Sequence, residues 1–177
     1  MPDNPRIISL DGPAAWVAVG ELADVLLDCV GRGASVSFMH PLTRERAEAF
    51  WAGVAEGVAC GERILLAAYV DGRIAGTVQA VFAREQNQPH RADIAKMLVR
   101  GEHRRRGLAE ALMRAAEAAA LAAGRTLLVL DTVTGGDAER LYERLGWERV
   151  GVIPDYALWP DGRPCDTTVF FRRLAGG

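Results

Sequence analysis

Apolar positions recur three or four residues apart in several stretches of the chain, which is the spacing of a buried helix face. This pattern predicts one helix over residues 14–30 and a second from an N-cap at Thr43 to about Ala59. A run rich in Ala, Leu and Glu predicts a third helix over 110–123, and a fourth helix follows a flexible turn at 134–137 and ends at Leu145.

Short apolar runs of strand type alternate with these helices. Asp71-Gly72 joins two of the runs and is typical of a type I′ β-hairpin. The segments 34–42, 84–90 and 154–164 predict irregular connections. The element order β-α-α-β-β-β-α-β-α-β-β predicts a mixed α/β sheet with helices on both faces. Strands are predicted at 7–10, 63–70, 74–83, 93–99, 126–130, 147–153 and 166–174.

The composition limits the classes of protein that this chain can belong to. Its 177 residues, half of them hydrophobic, predict a single globular domain over 1–177. A formal net charge of -2 gives no global reason to expect nucleic-acid binding. Three widely spaced cysteines form neither a disulfide framework nor a metal-ligand pattern. With no signal-peptide pattern and no membrane-spanning apolar run, we expect a cytoplasmic protein that uses no metal and binds neither nucleic acid nor membrane.

A basic turn links the strand at 93–99 to the third helix and is the strongest chemical signal in the sequence. The first amides of a helix lack internal partners and carry partial positive charge, so they attract anions. The three arginines at 104–106 add charge, and the small residues Gly107 and Ala109 let a phosphate approach the backbone. The alternative is an ordinary helix start beside a solvated arginine cluster. Neither a G-x-G-x-x-G nor a G-K-[ST] motif is present.

Two motifs in this order resemble those of the GCN5-related N-acetyltransferase (GNAT) family. Arg104-x-x-Gly107-x-Ala109 is similar to the family signature [QR]-x-x-G-x-[GA], and residues 137–147 are similar to A-x-x-x-Y-x-x-x-G-[FW]. Within the family, the chain resembles the tabtoxin-resistance acetyltransferases over nearly its whole length. The segments that carry this closer resemblance are 33–39, 91–93, 130–132 and 160–163.

The resemblance implies a GNAT-like, mostly antiparallel central sheet with splayed central strands, and acetyl-CoA as the co-substrate. The strand backbone would bind the pantetheine amides and the basic turn the pyrophosphate. Met97 to Val99 would otherwise be plain sheet core, and both roles are compatible. The chain has Gly135 where the family often has an asparagine that contacts pantetheine, so Thr132 or backbone amides would replace that contact. The implied coenzyme-binding residues are Met97, Leu98, Val99, Arg104, Arg105, Arg106, Gly107, Leu108, Ala109 and Thr132.

Transfer of an acetyl group to an amine needs a base, because an amine with a pKa near 10 is almost fully protonated at pH 7. The resemblance implies that Asp93 and Asp131 flank the cleft and take the proton, directly or through water. Either could instead be a solvated residue at a strand end. Tyr142 matches the family tyrosine that protonates the leaving thiolate, although such a residue is often core packing. Glu85 and His90 are weaker candidates.

The acceptor pocket is expected around the first two helices, their connection and the last loop. Its predicted residues are Ser35, Phe38, Met39 and Tyr156, and the resemblance implies direct transfer to a small amino-acid-like or antibiotic or toxin substrate. An acetyltransferase for peptide or protein amines and a non-catalytic acyl-CoA-binding sensor remain alternatives. A nucleic-acid binder is disfavoured by the acidic balance. We expect a monomer or a homodimer.

Overall fold

The computed structural model describes residues 5–175 of the chain. Within that range, strands lie at Arg6–Leu10 (β1), Arg63–Val70 (β2), Arg73–Phe82 (β3), Arg91–Val99 (β4), Leu127–Val133 (β5), Glu148–Leu158 (β6) and Pro164–Arg173 (β7). Helices lie at Gly12–Val17 (α1), Val19–Gly31 (α2), Arg44–Ala59 (α3), Leu108–Ala122 (α4) and Asp137–Arg144 (α5), and a short 3-10 turn at Gly101–His103.

The strands form one sheet in the order β1-β2-β3-β4-β5-β7-β6. Neighbouring strands are antiparallel except β4 and β5, which are parallel. These two strands pair only from Arg91 to Asp93, opposite Leu127 to Val129, and then separate. The predicted fold class, a mixed and mostly antiparallel GNAT-like sheet with splayed central strands and helices on both faces, is therefore confirmed.

Each face of the sheet has its own apolar core. Helices α4 and α5 cover one face through side chains such as Leu112, Met113 and Leu141. Helices α1 to α3 cover the other, where Leu22 and Trp51 are fully buried. The helical spacing in the sequence reflects these buried stripes.

Local sequence signals are reproduced at two turns. Thr43 caps α3 by accepting a hydrogen bond from the Arg46 amide at 3.3 Å. Asp71 and Gly72 both have positive φ, at 50° and 76°, as a type I′ turn requires.

Three boundary predictions were wrong. The strand predicted over 126–130 continues to Val133 as β5, so Asp131 lies inside it. The single helix predicted over 14–30 is divided at Ala18, which ends α1 and begins α2, and the residue types there give no sign of the break. The predicted loop over 154–164 is largely strand, because β6 continues to Leu158 past an irregularity next to Asp155, whose φ is 49°. A register shift of this kind depends on the partner strand β7 and not on local residue preferences.

Strand β4 contains a β-bulge beside the gap. Gln79 pairs with Ala95 and Thr77 with Leu98, so β4 has one residue more than β3 over this interval. Lys96 lies in the bulge with φ 51°. A bulge bends its strand and redirects side chains, and this one bends β4 where it separates from β5.

Candidate active site

A cleft of about 960 Å³ opens where β4 and β5 separate. Its walls are the connection after α2, the ends of β4 and β5, the turn before α4, and parts of α5, β6 and β7. We call the part beside the start of α4 the coenzyme end. We call the part between Ser37, Lys96 and Asp131 the acceptor end.

The turn at the coenzyme end leaves the first amides of α4 available to a ligand. Arg105 and Gly107 have left-handed φ values of 59° and 78°, and Gly107 caps the helix without a side-chain hydrogen bond. A Cβ at Gly107 would meet no atom within 4 Å, so glycine is needed there for its backbone conformation and not for space. The amides of Leu108 and Ala109 belong to the first helical turn, and both residues line the cleft.

Only two of the three arginines of the turn line the cleft. Arg105 lines it, whereas Arg106 does not. Arg104 also lines it, but its Nε donates to the Val99 carbonyl at 3.1 Å, so this side chain braces the end of β4. Two further arginines of α5, Arg140 and Arg144, line the same end, and sequence reasoning missed them.

Several arginines act together on a carboxylate beside this turn. The pKa of Asp137 is held below its ordinary value by a hydrogen bond from Arg140 and by the charges of Arg140, Arg105 and Arg104. The helix amides and these cations together form a donor set that fits a pyrophosphate.

The backbone of β4 is less free than the sequence suggested. Met97, Leu98 and Val99 line the cleft, as predicted. However, the Val99 carbonyl already accepts hydrogen bonds from the Cys29 thiol, at 3.5 Å, and from Arg104. Leu98 pairs with Thr77 of β3. A ligand can therefore contact β4 through its side chains and through those backbone groups that are not already hydrogen-bonded.

Asp131 lies at the acceptor end with one carboxylate oxygen fixed. Thr167 Oγ1 lies 3.0 Å from Asp131 Oδ2 and 2.9 Å from the Thr132 carbonyl, so the threonine hydroxyl ties β7 to this point of β5. Asp131 is exposed to the cleft, and Thr132 also lines it. Within residues 5–175, no hydrogen bond is formed to Asp131 Oδ1.

Tyr142 combines a packed ring with access to the cleft. The residue is 5% exposed, with its ring centroid 6.0 Å from those of Trp147 and Phe170, and it lines the cleft. Burial raises the pKa of Tyr142 well above its ordinary value, and the charge of Asp131 raises it further. The phenol is therefore protonated throughout the neutral range. The core-packing and site interpretations of this residue both hold.

Asp93 is not brought into the cleft. It lies at the last position where β4 and β5 are still paired, opposite Val129, and the opening begins beyond it. Its carboxylate forms an ion pair with Arg91 at 2.5 Å. The sequence placed Asp93 and Asp131 on either side of the gap because it could not show where the strands separate.

The four predicted acceptor residues all line the cleft. Ser35 donates to the Leu158 carbonyl at 2.7 Å and so joins the connection to β6. Phe38 packs edge-on against Phe50, with ring centroids 5.3 Å apart. Met39 and Tyr156 are about half exposed, and Tyr156 lies on β6 and not in a loop.

A buried carboxylate braces the loop before α5. Glu139 is 8% exposed and accepts hydrogen bonds from the Gly135 amide and from Thr168 Oγ1. The Gly135 amide is the largest cause that lowers the pKa of Glu139. Thr134 completes this network through Thr168, at 2.9 Å. The loop is therefore held by groups that nothing in the sequence singled out.

In the described part of the chain, no three His, Cys, Asp or Glu side chains are grouped so that they could hold a metal ion. None of the helices between residues 5 and 175 is both long and apolar enough to cross a membrane.

Comparison with known proteins assigns this fold and cleft to a family. The family model for the acetyltransferase (GNAT) family matches residues 32–147, which is more than half of the chain. The chain belongs to this family. A relative described as an uncharacterized N-acetyltransferase in the hisH-hisA intergenic region of Azospirillum brasilense is 36% identical over 113 residues. The match covers 63% of this chain and 66% of that relative.

Solved structures show the same fold. A GNAT-family acetyltransferase from Streptococcus pneumoniae has a TM-score of 0.79 at 22% identity, with 97% of this chain and 100% of that one covered. A putative acetyltransferase from Salmonella typhimurium, solved with acetyl-CoA, has a TM-score of 0.80 at 16% identity, with 99% and 96% covered. The GNAT membership confirms the predicted class, an acetyl-CoA-dependent transferase. The narrower likeness to tabtoxin-resistance acetyltransferases stays a prediction.

Proposed function

We propose that this GNAT protein transfers the acetyl group of acetyl-CoA directly to the amine of a small amino-acid-like acceptor, a class that includes antibiotics and toxins of that kind. The observation that carries the proposal is one continuous cleft, with a cationic helix N-terminus at one end and Asp131 beside Tyr142 at the other. Proximity of two bound reactants removes much of the entropic barrier to transfer. The likeness to tabtoxin-resistance enzymes supports the acceptor class.

The coenzyme end supplies binding. The amides at the start of α4, with Arg105, Arg140 and Arg144, bind the pyrophosphate, while Gly107 provides the turn that exposes those amides. Acetyl-CoA brings the acetyl group as a thioester, which is activated toward amines. Thr132 lines the cleft beyond the turn and remains a candidate for a pantetheine contact.

Asp131 acts as the base in this proposal. The amine must lose a proton before it attacks, and its protonation at pH 7 leaves a deficit of roughly 4 kcal/mol. Because Thr167 holds Asp131 Oδ2, the other oxygen can accept a hydrogen bond from the ammonium group and receive its proton, directly or through water. Asp93 is a weaker candidate for the base, because it lies outside the cleft and its carboxylate accepts a hydrogen bond from Arg91.

Tyr142 acts as the acid that protonates the departing thiolate. The phenol carries its proton at neutral pH, as a proton donor requires, although burial, by raising its pKa, makes it a weaker acid than a free tyrosine. A covalent route through Cys29 is disfavoured, because burial raises the pKa of that thiol and the thiolate is the nucleophilic form. Cys29, Cys60 and Cys165 are all free, as suits a reducing cytoplasm, where we propose the enzyme works.

The test is release of free thiol from acetyl-CoA in the presence of an amine panel. The panel contains amino acids, tabtoxinine-β-lactam, aminoglycosides, polyamines and peptides with free N-termini. Turnover confined to amino-acid-like amines supports the proposal, whereas acetylation of peptides alone would favour the protein-amine alternative. Tight acetyl-CoA binding with no turnover on any amine would identify a sensor and overturn the proposed reaction.

A further inference from the structure

The acceptor end contains a cation whose role in this chain is unassigned. Lys96 is the single lysine of the sequence, and the bulge in β4 places it among the residues lining the cleft. Its Nζ donates a hydrogen bond to Ser37 Oγ at 3.1 Å. Sequence reasoning passed over Lys96 because it lies within a strand, and no local signal showed which way its side chain would point.

The surroundings of Lys96 lack an anion in contact with it. Its Nζ lies 5.6 Å from the centre of the Phe50 ring, and burial lowers the pKa of the ammonium group. Among residues 5–175, no carboxylate oxygen approaches this nitrogen within 4.0 Å. A partly desolvated cation beside a hydroxyl and an aromatic ring favours an anion supplied by a ligand.

Backbone strain coincides with this contact. Lys96 and Ser37 both have left-handed φ values, 51° and 76°, which residues other than glycine rarely adopt. Their side chains meet in the cleft. Strained residues of this kind concentrate at binding and catalytic sites, where the rest of the fold maintains them.

Asp131 provides the opposite charge across the gap. It lies on β5 and Lys96 on β4, so the two charges face each other where the strands have separated. They are too far apart to pair directly, yet Asp131 is close enough to offset part of the fall in the Lys96 pKa. A ligand with one positive and one negative group fits between them.

We propose that Lys96 determines acceptor specificity by binding a carboxylate of the acceptor, while Asp131 receives the ammonium group of the same molecule. The acceptor is then a zwitterionic amino acid and not a simple amine. This inference rests on the proposed function, since it names the substrate class of the same site. It adds a binding role for Lys96 that is separate from the proton transfers assigned to Asp131 and Tyr142.

The test compares each L-amino acid with its own carboxamide, which keeps the shape and the amine but loses the negative charge. The twenty pairs are titrated calorimetrically into protein saturated with coenzyme A, and turnover is measured in parallel. For at least one pair, we expect the amino acid to bind about 10- to 100-fold more tightly than the amide, the range for a hydrogen bond to a charged group.

Two variants of Lys96 make the comparison decisive. Lys96→Met should abolish the preference for the acid over the amide, and Lys96→Arg should retain most of it. Thermal melting and acetyl-CoA affinity, both expected to stay near wild type, verify that the variants fold.

The outcomes separate the two proposals. A preference that survives Lys96→Met, or no preference for any amino acid over its amide, would overturn the role of Lys96. Acetylation of amines regardless of a carboxylate would overturn that role and leave the acetyltransferase proposal standing. Binding that depends on Lys96 but leads to no acetylation would support the role of Lys96 and overturn the acetyltransferase proposal.

Discussion

The two ends of the cleft are assembled in different ways. The coenzyme end is mostly one continuous stretch, from the end of β4 through the turn into α4, and it offers mainly backbone amides and arginines. The acceptor end combines side chains from distant segments, with Ser37 before α3, Lys96 on β4, Asp131 on β5 and Thr167 on β7. A chemically constant ligand suits the first design, and a variable acceptor suits the second.

The sharpest way to test this division is to remove the base and leave the coenzyme end intact. Asp131→Asn should lower kcat about 10²- to 10⁴-fold, the usual contribution of general base catalysis, with acetyl-CoA affinity nearly unchanged. Steady-state kinetics and coenzyme titration measure the two quantities. Asp93→Asn is the matched control, and we expect it to retain most activity because its carboxylate lies outside the cleft. The opposite ranking would transfer the role of base to Asp93.

Loss of the proposed acid, Tyr142, should lower turnover less than loss of the base and should also leave coenzyme binding unchanged. Tyr142→Phe should lower kcat about 10- to 100-fold, the lower part of the range for acid–base catalysis, because a thiolate is a fairly good leaving group. Its melting temperature should stay close to wild type, since the buried ring is retained. Tyr69→Phe on β2 controls for loss of a phenol elsewhere. Wild-type turnover in Tyr142→Phe would leave this residue only its packing role.

A change at the coenzyme end should produce the complementary pattern. Gly107→Ala disfavours the left-handed conformation by about 1–2 kcal/mol, so we expect the turn to relax in the free protein; acetyl-CoA must then restore it and binds about fivefold to thirtyfold more weakly. The KM for the acceptor should change little. Gly53→Ala in α3 is the control, because its added Cβ also meets open space but its φ is not left-handed. Equal coenzyme affinity in both variants would show that the turn tolerates a side chain.

The smallest effect is expected from a change in the hydrogen bonds that hold the loop before α5. Glu139→Gln replaces one acceptor oxygen with a donor that faces Gly135 or Thr168, so we expect about 1–2 kcal/mol lower stability at pH 7. The folded pKa of Glu139 is lowered, so its contribution is present above the unfolded value near 4.5 and is lost as the pH falls through the folded pKa. Denaturant titrations at pH 7 and below pH 4 measure this. A stability difference that does not shrink in acid would contradict this assignment.

The same division explains what could be predicted from the sequence. The turn before α4 depends on neighbours in the chain, so Gly107 and the helix start are visible as a motif. Asp131 was predicted just after a strand that ends at Leu130, but β5 continues to Val133, so this residue lies inside the strand. Tyr142 needed the family resemblance, because its spacing alone indicates core packing.

The features that the sequence did not reveal depend on strand register and tertiary contact. Lys96 reaches the cleft only because β4 bulges against β3. Asp93 lies outside it because pairing with β5 persists to that residue. Arg140 and Arg144 join the coenzyme end through the placement of α5. Local residue preferences do not show where a bulge interrupts a ladder or where two strands separate, so local reasoning could not recover these positions.

The separation of β4 from β5 also has a mechanical consequence. Only three register pairs, Arg91 to Asp93 opposite Leu127 to Val129, join the four-stranded half of the sheet to the three-stranded half. A ligand that lies between β4 and β5 contacts both halves of the sheet and therefore holds them together. By mass action, a ligand that binds only the folded chain raises its melting temperature. Occupancy of the gap between β4 and β5 can therefore be measured by thermal melting.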